Sequence, residues 1–225
     1  MSEIGVVYIA RGLDPHWQAR ITRFVDSWMA HPPGIECHVY VIYKEFLNSA
    51  DLTWAIDKLL PLWPTCILNY RDYNSWGGGC FKEAVNHVTE PLLCTLVSSA
   101  EVMHNDWLAN LYNAFNYFDA GLVGCTGSRE LNLHIRDNAI LIERARYEPI
   151  IKQFNFRSKA DYDEFEHGPN NLTLQVLRDK PVYVIEGNGR AFASVDWDHI
   201  TYTDPQNVLV HDCGSRHYKD GLRWD

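Results

Sequence analysis

Apolar residues run unbroken over positions 4–10 (IGVVYIA) and are rich in β-branched side chains. Such a run predicts a strand covered on both faces. In HWQARITRFVDSWMA the period changes. Trp17, Ile21, Phe24, Val25 and Trp28 recur at spacings of three and four, which predicts an amphipathic helix. Asp14-Pro15 reads as its start and His31-Pro32-Pro33-Gly34 as its stop. Residues 36–43 (ECHVYVIY) then read as a second strand, SADLTWAIDKLLPLW as a second helix and residues 65–68 as a short third strand. The loop RDYNSWGGG leads into a third helix, CFKEAVNHV, and residues 91–97 (PLLCTLV) give a fourth strand. The segment NDWLANLYNAFNYF is amphipathic through Trp107, Leu108, Leu111, Phe115 and Phe118. Beyond it the alternation loosens into GLVGCTG, a strand NAILIE, helices around 147–154 and 171–177, and a strand PVYVIE. From Trp197 onward the chain is polar and aromatic with little periodicity.

Strands alternating with helices predict an α/β fold, a doubly wound and mainly parallel sheet flanked by helices, in one domain with an elaborated C-terminal half. Ligands of such sheets bind beyond the carboxyl ends of the strands. Here those ends are residues 10–11, 43–44, 69–72 and 98–101.

Composition narrows the function classes. The 225 residues carry a formal net charge of −9, so a general nucleic-acid binder, which needs clustered Lys and Arg, is excluded. A small phosphorylated ligand needs only a few local cations or a bound metal ion. The six cysteines form no C-x-x-C pair, and four lie in or beside buried apolar runs, which reads as reduced, structural thiols. No segment has the ~18 apolar residues of a membrane span, and MSEIGVVYIARG lacks the basic start of a signal peptide. The expected location is the cytoplasm, with peripheral attachment to a membrane left open.

Several strand-end residues carry candidate chemistry. Gly77, Gly78 and Gly79 precede a helix and allow backbone N–H groups to approach an anion, without the Lys and Ser/Thr of a P-loop. Arg11 and Asp72 follow the first and third strands, where a base or phosphate would lie; each also reads as an ordinary loop residue. Ser99-x-Glu101 follows the fourth strand, and the acidic run around Asp161, Asp163, Glu164 and Glu166 precedes a helix. Trp76 and Trp197 are candidate stacking faces, and Arg216, His217 and Lys219 a candidate lid. The histidines form no metal-ligand cluster by spacing; His104, His134 and His199 read as surface or hydrogen-bonded residues.

The segment YNSWGGGCFKEAVNHVTEPLLCTLVSSAEVMHNDWLANLYNAF resembles the central block of GT-A glycosyltransferases, especially family 2. NAILIERARYEPIIKQF and DYDEFEHGPNNLTLQVLRDKPVYVIEG look like that family's acceptor strand and helix and its acidic catalytic segment, so the resemblance spans roughly residues 4–190. It implies a nucleotide-binding half at about 1–105, an acceptor-side half at about 106–225, and a polysaccharide-biosynthesis type of transfer. A sugar would pass from a nucleotide-diphosphate donor to a glycan or other hydroxyl acceptor, with inversion. Arg11, Asp72, Gly77, Gly78, Gly79 and Ser99 would bind the donor, and Glu166, or Asp163 beside it, would be the base. The family's Asp-x-Asp is reduced to Ser99-x-Glu101. Mn²⁺ or Mg²⁺ would then rest on Glu101 with His211, for which Asp212 competes, or be dispensed with. A sugar-phosphate nucleotidyltransferase and a non-catalytic nucleotide-sugar or glycan-binding domain stand as alternatives.

Overall fold

The computed structural model describes residues 2–70, 75–214, 218–219 and 222–223; of 66–70, 218–219 and 222–223 it describes the backbone. Strand β1 (Ile4–Arg11) is buried over residues 4–10, and its pleat divides the side chains between two cores. Ile4, Val6, Tyr8 and Ala10 enter one, with Phe24, Leu59 and Leu108; Val7 and Ile9 enter the other, with Phe81, Tyr147 and Phe165. Each such buried side chain contributes about 1.5–3 kcal/mol relative to exposure, which is why a strand without a polar face is stable only between two helical layers.

The remaining elements of the first half are α1 (Trp17–Ala30), β2 (His38–Lys44), α2 (Ser49–Leu59), β3 (Thr65–Tyr70), α3 (Trp76–Ala84), β4 (Leu92–Leu96) and β5 (Glu101–Val102). The second half supplies α4 (Trp107–Tyr117), β6 (Leu122–Gly124), β7 (Gly127–Ser128), β8 (His134–Ile135), β9 (Ala139–Glu143), α5 (Arg144–Ile151), α6 (Lys159–His167) and α7 (Leu172–Val176). It continues through β10 (Val182–Ile185), β11 (Ala191–Ala193) and β12 (Val210–His211) to β13 (Tyr218–Lys219) and β14 (Leu222–Arg223). Eight strands form the central sheet in the order β11-β10-β6-β9-β4-β1-β2-β3. β3, β2, β1 and β4 run parallel, as do β6 and β10, and β9 is inserted antiparallel between β4 and β6. Helices α1, α2 and α4 cover one face and α3, α5, α6 and α7 the other.

The structure corrects four expectations. The glycine run lies in the first turn of α3, where Gly79 N–H already bonds Ser75 O at 3.0 Å. Gly78 is buried against Phe156, whose ring a Cβ would approach to 2.3 Å, so that glycine permits close packing. Trp197 is fully buried: its indole N–H bonds Phe192 O at 3.0 Å and its ring fills the space beside Gly127. It is core, not a stacking face. The acidic run after Ser158 is not a loop before a helix but helix α6 itself, begun by Ser158 Oγ accepting from Asp161 N–H at 3.2 Å. Finally, Asp14 does not cap α1: the N-cap position is His16, which makes no side-chain cap, and the Asp14 carboxylate bonds Arg11 and Arg20.

Candidate functional site

Parallel strands β1, β2 and β4 end side by side, so Arg11, Lys44 and the segment after Leu96 are brought together by register alone. Between them lies a cavity of about 190 Å³, lined notably by Arg11, Asp14, Arg20, Lys44, Trp76 and Tyr162, with Gly77 and Ser99 also in its wall. This is smaller than the roughly 300–1,000 Å³ of a complete small-molecule site, so the described walls have room for only part of such a ligand. Three cations and one carboxylate among these residues make the place locally positive on an acidic protein.

The cations are held by carboxylates at fixed positions. Arg11 bonds Glu45 (Nε to Oε2, 2.5 Å) and Asp14 (3.1 Å), and Arg20 bonds the second oxygen of Asp14 at 3.0 Å. Ser98 Oγ, at the exit of β4, also donates to Asp14. Buried Lys44 pairs with Glu45 at 2.9 Å and donates to Ser75 Oγ at 3.3 Å. Glu45, which pairs with both cations, has a left-handed backbone conformation (φ 58°), a local strain of the kind that functional sites retain. Burial works against the Arg11 charge, but the hydrogen bond to Glu45 and the nearby carboxylates outweigh it and push its pKa up. Trp76, also left-handed (φ 49°) and 38% exposed, presents its ring to Arg11 Cζ at 5.7 Å and Lys159 Nζ at 5.6 Å.

Behind Tyr162 the sign of the charge reverses. Tyr162 lines the cavity and its hydroxyl donates to Asp137 Oδ2. One turn later on α6, Glu166 approaches Arg136 Nε at 3.9 Å, and Arg136 grips both oxygens of Asp212 at 3.0 and 3.1 Å. Burial, reinforced by Glu166, pushes Asp137 up to about 8; the Tyr162 hydrogen bond and Arg136 oppose this. Burial likewise pushes Glu166 up, with Arg136 opposing and Asp212 adding to the rise. One guanidinium thus serves three crowded carboxyl groups, and a proton is retained among them into the neutral range, which suits general acid–base work.

The sequence-derived candidates separate on this map. Arg11, Gly77 and Ser99 meet in the cavity, with Ser99 Oγ also contacting Cys213 Sγ at 3.2 Å. Gly78 and Gly79 are buried in α3. Glu166 stands in the acidic cluster, whereas Asp163 faces the outer surface of α6, paired with Lys159 at 2.6 Å and His167 at 3.6 Å. Asp72 and the side chains of Arg216, His217 and Lys219 lie outside the described residues. Glu101 and His211 sit opposite one another in the β5–β12 pair. Yet Glu101 lines a different cavity along α1, beside Thr22, Asp26 and His31, with Arg23 Nε 3.9 Å from its carboxylate. Among the described residues no three His, Cys, Asp or Glu side chains are grouped to hold a metal ion. A hard divalent cation takes about six oxygen ligands, and the donor set that the described residues offer at the β4 exit does not fit one. Lys44 was legible only as a strand end, and Arg20, Arg136, Asp137 and Tyr162 were not legible as site residues. The one local signal was Arg136-Asp137, a charged pair separated from the apolar strand β9 by Asn138 alone.

No protein-family model and no curated protein sequence matches the chain. Among solved structures it aligns with an active-site mutant of LgtC over 98% of this chain and 91% of that one, at 12% identity and a TM-score of 0.57. The chain has the GT-A fold. Other GT-A structures similar to it are a mannosyltransferase from Pyrobaculum calidifontis in complex with GDP-Man and Mn²⁺ and Staphylococcus aureus TarS 1–349 in complex with UDP. The first has 13% identity, 66% of this chain aligned and a TM-score of 0.51; the second has 11%, 71% and 0.51. The chain spans 46% and 52% of those two GT-A proteins, about half their length. No described helix is long and apolar enough to cross a membrane.

Proposed function

We propose that this protein is a glycosyltransferase that moves a sugar from a nucleotide-diphosphate donor to a hydroxyl acceptor, with inversion at the anomeric carbon. The observation that carries the reading is one cationic cavity at the ends of β1, β2 and β4 with the buried Asp137 and half-buried Glu166 carboxyl groups behind its Tyr162 wall. The mannosyltransferase solved with GDP-Man and TarS solved with UDP, which share this fold, support the choice of donor class.

The donor's diphosphate lies among Arg11, Arg20 and Lys44, and Trp76 offers a face to its base or sugar. The acceptor approaches from the α6 side. As its hydroxyl oxygen attacks the anomeric carbon, Glu166 takes the hydroxyl proton and the nucleoside diphosphate departs from the opposite face. Arg136 lowers and Asp212 raises the proton affinity of Glu166, on top of its burial; they are positioning residues.

Thermal shift with a panel of nucleoside diphosphates, followed by hydrolysis of the matching nucleotide sugars, tests the reading. Stabilisation together with turnover that Glu166→Gln removes is expected. Binding without turnover, unchanged by Glu166→Gln, would make the protein a nucleotide-sugar-binding module, and no stabilisation by any nucleotide would remove the donor site.

A further inference from the structure

Diphosphate departure needs positive charge beside the leaving oxygens. In this chain the exit of β4 is already supplied with fixed positive charge. Asp14 reaches Ser98 there and brings the guanidinium groups of Arg11 and Arg20 with it, at 3.1 and 3.0 Å. Lys44 stands on the neighbouring strand end, in direct register with Arg11. Glu101, the acidic residue that stands after this strand, is turned toward Arg23 and a separate cavity. Ser98 and Ser99 bear hydroxyls where a divalent cation would require carboxylates.

Building on the glycosyltransferase reading, we infer that the donor diphosphate is bound and neutralised by Arg11, Arg20 and Lys44, without a divalent metal ion. Planar guanidinium groups match phosphate oxygens in pairs, and Lys44 adds a point charge from the cavity wall. Asp14 and Glu45 pre-position these cations while leaving the wall net positive. A phosphate oxygen entering the cavity therefore meets cations whose geometry is set before binding.

Calorimetric titration of the full chain with UDP, GDP, CDP and ADP, in EDTA and in Mn²⁺, tests this. The best nucleotide should bind within about threefold equally in the two conditions, since metal would contribute less than ~1 kcal/mol. Arg20→Gln should weaken binding in EDTA by about tenfold or more, the worth of one charge-assisted hydrogen bond, and Arg20→Lys should restore part of it. Glu101→Gln should change nothing. Thermal melts identify any variant that fails to fold, and the falling affinity of the unmodified protein with salt is an independent readout of the cations. Binding that requires Mn²⁺ and is lost in Glu101→Gln overturns the inference and leaves the glycosyltransferase reading intact. Binding in EDTA that neither Arg20→Gln nor salt weakens overturns the assignment to these residues. No binding in either condition overturns both.

Discussion

The two sides of Tyr162 are built from opposite charges. On the cavity side, Arg11, Arg20 and Lys44 outnumber the carboxylate that shares the wall with them. On the other side, Asp137, Glu166 and Asp212 crowd around Arg136. Each side is held by its minority charge: Asp14 and Glu45 fix the cations, and Arg136 fixes the acids. The lesson is that the net charge of −9 describes neither region. The proposed transfer asks for a place that welcomes an anion and a place that withholds and accepts a proton, and Tyr162 touches both clusters, lining the cavity and donating to Asp137.

The most severe way to break this pairing is to remove the proposed base. Glu166→Gln should lower turnover by about 10²- to 10⁴-fold, the usual contribution of a general base, while leaving the affinity for nucleoside diphosphate unchanged. Loss of both together would mean that the two sides are not separate. A Tyr162→Phe change removes the hydroxyl that holds down the Asp137 pKa. The pH at which Asp137 loses its proton should then rise, read as a shift to higher pH of the decline in melting temperature with pH.

Stability should show the same chemistry with a definite sign. The folded protein keeps a proton on Asp137 up to about pH 8, whereas the unfolded chain loses it near the ordinary 3.8. The contribution of this group is therefore fully present below about pH 4 and is lost as the pH rises toward 8. Asp137→Asn should flatten that decline, measured as melting temperature against pH, and melt above the parent protein at pH 8. An unchanged slope would show that the carboxyl is ionised in the folded state.

Smaller effects separate packing from binding. Gly78→Ala drives a methyl into Phe156 and should cost about 1–3 kcal/mol of stability. At Gly77 the nearest contact for a Cβ is 3.5 Å, to Tyr162 Oη, so Gly77→Ala should fold normally and affect nucleotide binding first. Least of all, Asp163→Asn breaks a surface pair on α6 and should change stability by less than about 1 kcal/mol, with turnover retained. A large turnover loss there would transfer the role of base to Asp163.

What the sequence made legible follows from burial. IGVVYIA and NAILIE lie inside the sheet, and their uninterrupted apolar runs announce it. Helix α6 escaped because KADYDEFEH buries only Phe165 fully and shows no apolar stripe; its true signal was the Ser158–Asp161 cap. The glycine run suggested a loop because glycine is a poor helix former, yet Phe156, distant in sequence, needs the space. Arg11 and Glu166 could be picked from their places after a strand and in an acidic segment. Arg136 and Asp137 could not, because only the antiparallel insertion of β9 brings them to α6; Asp212 could be picked only as a rival of His211 for a metal, whereas in space it pairs with Arg136. Asp14 reads as a helix start in sequence and serves as the clamp of two arginines in space.

The most direct test is a structure of the protein with its nucleotide-diphosphate sugar bound, determined in the presence of EDTA. The account predicts the diphosphate within hydrogen-bond distance, about 3 Å, of Arg20 and Lys44, with the sugar's anomeric carbon facing the Tyr162 and Glu166 side. A donor seated in the cavity beside Glu101, or with its phosphates away from Arg11, Arg20 and Lys44, would contradict it.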